Sequence, residues 1–285
     1  MVEKVIPDSL NEALFLLNKK EYCIVAGGSD IMLQKRNIAG ELPRFSTNVM
    51  FISNLKELHY EKEDKEGLHI GATMTLEEIL NHKLTPDVLK QCLSELASAN
   101  IRHFATLPGN IANASPAGDT IVIDILLDAY IKLSSINGSR LIKASDFVKG
   151  VHKIDRQSNE LIEEIIIPPY KFDKLAWIKV GSRKAESISK VSFAGAYLLE
   201  GNIIKDIRLA FGSIFVKAIR SEEIENEIKG LSLSQLSSRI DEFVEKYGNF
   251  ISPIDDHRSN KEYRRTVTKN IVRKYLTELV EGGNR

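Results

Sequence analysis

Leu10, Ala13, Leu14 and Leu17 recur at intervals of three and four, with Ser9 just ahead of them and Glu12 three positions on. An apolar stripe behind a Ser-x-x-Glu capping box predicts a helix that starts at residue 10. The next apolar run, YCIVA at 22–26, is short and is stopped by Gly27-Gly28. It predicts a buried strand, then a tight turn and a short helix capped by Ser29 or Asp30. NVMFISN and LHIGA read as further strands, and Thr75 with Glu78 forms a second capping box. Thr85-Pro86 opens another helix, with Leu89, Cys92, Leu93 and Leu96 on one face.

Beyond residue 128, AYIKLSS and RLIKAS flank Asn137-Gly138, a hairpin signal, and LIEEIII runs into the hard stop of Pro168-Pro169. That double proline sets the expected domain boundary, between residues 1–169 and residues 170–285. After it, LAWIKVGS, VSFAGAYLLE and IIKDIRLAFGS read as three strands, the last two joined by Gly201-Asn202. Only helical patterns come after these. Tyr263, Val267, Ile271 and Tyr275 mark the last helix. The pattern is an α/β domain followed by a small sheet with helices.

Thirty-nine basic residues balance thirty-nine acidic ones, so no global basic field draws the chain to nucleic acid or to an anionic membrane. Cys23 and Cys92 each stand in an apolar pattern and read as small buried hydrophobes, not as a disulfide or a metal pair. The opening MVEKVIPDSL has no apolar core of a signal peptide, and the one long apolar stretch, IVIDILLDAYIKL, is broken by Asp124 and Asp128. The expectation is a cytoplasmic protein that does not insert into a membrane. The six His and two Cys show no ligand spacing for zinc or an iron–sulfur cluster.

Two loops carry the candidate chemistry. One is VAGGSDIM at 25–32. The other, TLPGNIANASPAGDT at 106–120, holds two Gly, two Pro, two Asn and an Asp. A diglycine between a strand and a helix exposes backbone N–H groups suited to a phosphate, but it equally serves as a plain turn. Neither a G-x-G-x-x-G nor a Walker sequence is present. In the second loop Asn110, Asn113, Ser115, Asp119 and Thr120 place five polar side chains among small residues, more than a turn requires. Together the loops suit the two ends of one long phosphate-containing cofactor.

VAGGSDIM, ANIRHFATLPGNIANASPAGDT, KVGSRKAESISKVSFA and PIDDHRSNKEYRR, in that order, resemble the FAD-binding subunit of the xanthine dehydrogenase family of molybdenum hydroxylases. The resemblance spans nearly the whole chain. It implies an α/β (α+β) fold: a two-lobed FAD-binding domain of the vanillyl-oxidase or PCMH type, with lobes of roughly 1–54 and 55–169, then a three-stranded antiparallel sheet with helices. It further implies that Val25, Ala26, Gly27, Gly28, Ser29, Asp30, Ile31 and Met32 wrap the FAD pyrophosphate. Thr106, Leu107, Pro108, Gly109 and Asn110 would line its other side, and Asp119, Ile162 and Lys179 would add acidic, apolar and basic contacts. One position departs from the family pattern. Pro108 replaces the first of two glycines, and proline has no N–H to donate.

The implied role is electron transfer: FAD, bound noncovalently since no His or Cys is suitably placed for attachment, would take electrons from a partner and pass them to NAD+ as co-substrate or to another acceptor such as a quinone, oxygen or a ferredoxin-like carrier. The partners would be a molybdenum-cofactor (molybdopterin) large subunit and a ferredoxin-like two-iron, two-sulfur small subunit. With two distant Cys, FAD would be the only redox centre on this chain. Lys179, Arg183, Lys184 and Lys190 form a basic run that is either a solvated strand and loop or, at Lys179, a fixed cation near the flavin. His103 and His257 border turns, and no acid–base site is indicated. Two rival readings are a self-sufficient flavin oxidoreductase and a flavin-free scaffold bridging other subunits.

Overall fold

The computed structural model of the chain describes residues 2–183 and 186–283. Ser9 caps α1 (Leu10–Lys19) by accepting from the Glu12 amide. The box is shifted by one position, because the Glu12 carboxylate accepts from the Asp8 amide at 2.7 Å. β1 (Lys4–Val5), β2 (Tyr22–Val25) and β3 (Asn48–Phe51) form a parallel sheet in the order β1-β3-β2, with α2 (Ile31–Gln34) after β2. The apolar stripe of α1 buries Ala13, Leu14 and Leu17 against Tyr22, Met50 and Ile52. Burial of this kind stabilises by roughly 25 cal/mol per Å².

β4 (Glu61–Asp64) and β5 (Gly67–Gly71) open a second sheet and lead to α3 (Leu76–Asn81), whose Thr75/Glu78 capping box is complete. In α4 (Asp87–Ser94) the N-cap is Pro86. Thr85 turns inward instead, its hydroxyl donating to the Ile79 carbonyl and to Glu61. The short α5 (Ala99–Arg102) and α6 (Leu107–Asn113) come next, then α7 (Asp119–Leu126), whose eight residues are all buried. The Asn137-Gly138 signal lies at the hairpin of β6 (Tyr130–Ser135) and β7 (Gly138–Lys143). α8 (Ala144–Phe147), β8 (Val148–Gly150) and β9 (Lys153–Ile154) lead to β10 (Leu161–Ile167), which completes an antiparallel sheet in the order β4-β5-β10-β6-β7.

β11 (Lys174–Val180), β12 (Val191–Glu200) and β13 (Ile203–Gly212) are the three expected antiparallel strands. A two-residue β14 (Ile219–Arg220), too short to read from a pattern, adds a fourth. Helices α9 (Glu222–Ile228), α10 (Leu233–Phe250) and α11 (Lys261–Gly283) finish the chain. Phe193, Phe211, Tyr247 and Tyr275 interlock at the centre of this core, with ring centroids 5.2–5.5 Å apart along the chain of contacts.

The chain divides into two compact units, residues 1–115 with 128–169, and residues 116–127 with 170–285. Residues 116–127, which precede the double proline by forty positions, thus pack with the later unit. The cause is apolar: α7 buries a full turn on every side and lies on β12 and β13. Arg208 and Arg220 donate to the Leu126 and Ile125 carbonyls at 3.0 and 3.3 Å, satisfying orphan acceptors at the helix end.

Asp124 is the anomaly in α7. It is fully buried, and neither of its carboxylate oxygens has a hydrogen-bond partner among the described residues. Burial pushes its pKa up to about 8. An unfolded aspartate titrates near 3.9. The folded state therefore holds a proton that the unfolded chain has lost, and the associated stability is present below about pH 4 and lost as pH rises through 8. Glu225, raised to about 7 by burial, acts in the same direction. Denaturant titrations should show stability falling from pH 5 to pH 8 by up to about 1.4 kcal/mol per pH unit from Asp124. In Asp124→Asn the fall should be markedly shallower and the protein more stable at pH 8. Parallel pH profiles for the two proteins would contradict this.

Candidate functional site

The first glycine-bearing loop leaves β2 at Val25, whose carbonyl accepts from the Ile52 amide at 2.9 Å. Gly27 then passes so close to residues 104–105 that a Cβ there would lie 1.6 Å from the Phe104 carbonyl oxygen. Only glycine permits that approach. Gly28 adopts φ +68°, and its carbonyl accepts from Met32 at 3.1 Å as α2 begins. Asp30 is the N-cap of α2 but makes no side-chain cap; its carboxylate accepts from the Gln34 amide at 2.7 Å.

The second loop proves to be largely helical. Thr106 caps α6 by accepting from Gly109 N at 3.1 Å, and Pro108 occupies the first turn. Backbone N–H groups there have no intrahelical partner, so the proline costs the helix nothing. Ala114 closes α6 in the left-handed conformation. The turn between β8 and β9 is tied to this end, since the His152 amide donates to the Ala114 carbonyl at 3.1 Å and its Nδ1 to the Asn113 carbonyl at 2.8 Å. Gln34 also donates to Asn113 Oδ1 at 3.0 Å, joining α2 to α6.

These elements enclose two continuous spaces in the first unit. A cleft of about 310 Å³, of mixed polar and apolar lining, is bordered by 24–31 of the first loop, by Gln34, and by Thr106, Gly109, Asn110, Asn113 and His152. An apolar cavity of about 210 Å³ shares Ile24, Ala26, Gly109 and Ala112 with it and is otherwise lined chiefly by Cys23, Ile52, Ala72, Pro108, Leu161 and Ile162. Arg156 is its one charged liner, and burial draws that guanidinium's pKa down. Burial likewise pushes the Cys23 thiol up.

The structure thus brings Val25, Ala26, Gly27, Gly28, Ser29, Asp30, Ile31, Thr106, Gly109 and Asn110 onto one cleft, with Pro108 and Ile162 on the adjoining cavity. Met32 and Leu107 border neither: Leu107 is fully buried in the core. Cys23, read as a buried hydrophobe, is only half-buried and forms part of the cavity wall. Cys92 is buried as expected. Arg156 and His152 carried no local signal, because each reaches the site across a long sequence separation, whereas Gln34 stands only two residues past the first loop. His103 is spent on the Ala99 carbonyl at 2.7 Å. Arg183 is bonded to the Glu186 carbonyl, and Lys184 lies outside the described residues.

Asp119 and Lys179 meet in the second unit. Lys179 Nζ lies 2.8 Å from Asp119 Oδ2, both side chains are 5% exposed, and Ser189 donates to Asp119 Oδ1 at 2.6 Å.

The chain combines an α/β unit holding a cleft of small residues with a sheet-and-helix unit. Residues 1–170 match the family described as the FAD binding domain in molybdopterin dehydrogenase, and residues 176–279 match the CO dehydrogenase flavoprotein C-terminal domain. The glyceraldehyde dehydrogenase medium chain of Sulfolobus acidocaldarius is 33% identical across 95% of this chain and 96% of its own length. The xanthine dehydrogenase FAD-binding subunit of Escherichia coli O157:H7 is 25% identical across 96% and 93%. In fold, the chain superposes with a TM-score of 0.86 on the reconstituted CO dehydrogenase from Oligotropha carboxidovorans, covering 96% of each at 22% identity. The chain belongs to the family of FAD-binding subunits of molybdopterin dehydrogenases.

The Asp119–Lys179 pair has a testable energetic consequence. Asp119→Ala leaves a buried ammonium without its carboxylate and should cost roughly 3–5 kcal/mol in denaturant titrations. The double replacement Asp119→Leu/Lys179→Met removes both charges and should recover most of that loss. Equal losses in the single and double variants would show that the pairing is not the source.

Proposed function

We propose that the chain is the FAD-carrying electron-transfer subunit of a molybdenum hydroxylase of the xanthine dehydrogenase type. Its partners in this reading are a molybdenum-cofactor (molybdopterin) large subunit and a ferredoxin-like two-iron, two-sulfur small subunit. Electrons arrive from the iron–sulfur clusters and leave to NAD+, in the cytoplasm.

The observation that carries the reading is the junction of the two glycine-bearing loops at Gly27, which makes one cleft of residues distant in sequence. Neutral groups that can donate to a diphosphate border the cleft, namely the Ser29 hydroxyl and the Asn113 amide; Gly27 and Gly28 leave the backbone there open to close approach, and the Asp30 carboxylate is engaged by Gln34. The adjoining apolar cavity suits an aromatic ring. When bound there, FAD supplies the redox chemistry. The chain's own residues hold the cofactor and shield it from water. Among the described residues, no group of three His, Cys, Asp or Glu side chains is placed to hold a metal ion. Asp119 and Lys179 enter this reading as the acidic and basic contacts that the resemblance implies, and within the second unit Asp119 holds the Lys179 ammonium in place. No described helix is long and apolar enough to cross a membrane.

Two measurements test this. The purified protein should be yellow and should release all its flavin on acid precipitation, because His152 is bonded to a carbonyl and the Cys23 thiol is kept protonated by burial. A yellow pellet would mean covalent attachment, with those two residues as the candidates, and a colourless protein that cannot be reconstituted would remove the flavin assignment. Under anaerobic conditions NADH should bleach the flavin band, and Lys179→Ala should slow the bleaching. A band that persists with NADH, in both the isolated chain and its complex, but disappears with dithionite would contradict NAD+ as the acceptor.

A further inference from the structure

In a regular strand, successive side chains point to opposite faces. Yet Lys132 on β6 reaches both Glu163 Oε1 at 2.7 Å and Glu164 Oε1 at 3.3 Å, two neighbours on β10. The pairing explains it. Ile162 faces Leu133 and Glu164 faces Lys132, so Glu163 is an extra residue bulged out of the ladder. Its carboxylate is clamped by Lys132 and by the Ser134 hydroxyl, and its carbonyl accepts from the Ala72 amide at 3.0 Å. Glu164 is engaged separately, accepting from Tyr60 at 2.7 Å and from His69 at 3.0 Å.

The bulge bears on the cavity. Ile162, Leu161 and Ala72, which adjoin it or are bonded to it, form part of the apolar wall. A one-residue change of register turns every side chain on one side of the slip to the other face. The face that β10 presents to the cavity is therefore set at Glu163.

We propose that Glu163 is a positioning residue for the cofactor, its clamped carboxylate holding the β10 bulge in the register that turns Ile162 into the apolar cavity. This rests on the reading of the cavity as part of the FAD site. Glu163 does not line the cavity itself and acts through Ile162.

The test is a double-mutant cycle read as the Kd for FAD on flavin-free protein, at a temperature where far-ultraviolet circular dichroism shows each variant folded. Glu163→Ala should weaken FAD binding about tenfold in the wild-type background and less than about twofold in the Ile162→Ala background, since the two act through one contact. Glu163→Gln keeps one acceptor oxygen for Lys132 while its NH2 can donate to the Ser134 hydroxyl oxygen, and it should restore binding to within about threefold of wild type. Should Glu163→Ala fail to fold, Ser134→Ala removes one arm of the clamp and should show the same dependence on Ile162. A wild-type Kd in the folded Glu163→Ala protein, or an undiminished loss in the Ile162→Ala background, would overturn the proposal. Failure of the wild-type chain itself to bind FAD would instead overturn the FAD reading.

Discussion

The cleft depends on a single close approach, the backbone of Gly27 against the Phe104 carbonyl. At 1.6 Å from that oxygen no Cβ has a place, so the strand-to-helix turn after β2 and the segment entering α6 can touch only at a glycine. The rest of the cleft is built outward from that contact. Residues 104–105 are also held from the other side, where the Ala105 carbonyl accepts from Leu76 N at 2.8 Å and Thr106 bridges to Thr75. The start of α6 is thus fixed between α3 and the first loop. Gln34 and His152 then secure its far end through Asn113.

Elements whose stabilising interactions are local were legible in the sequence. The caps at Ser9 and Thr75, the strand at Tyr22–Val25, the hairpin after β6 and the three long strands of the second unit each carry their cause within a few residues. The stretch at 106–120 stood out in the sequence as a candidate site, but its structure was not legible. Its Thr, Pro and Gly read as loop punctuation, whereas here they are the cap and first turn of α6. The α7 sequence, buried on all sides, has no clear periodicity to separate a buried helix from a buried strand.

What stayed hidden is what distance in sequence hides. The pairing of Asp119 with Lys179, the arrival of Arg156 and His152 at the cavities, and the bulge at Glu163 all arise between segments tens of residues apart. LIEEIII carries two adjacent glutamates. In the sheet they are both engaged, one by Lys132 and Ser134, the other by Tyr60 and His69. Buried charge is tolerated where such partners exist and costs stability where they do not, and Asp124 marks that limit.

The most direct test of the central claim, that the two loops joined at Gly27 form the FAD site, is amide hydrogen exchange on the chain with and without FAD. Bound FAD should slow exchange in 25–32 and in 106–113 together, the two segments that border the cleft. Tight FAD binding with unchanged exchange in both segments would place the cofactor elsewhere and contradict the account.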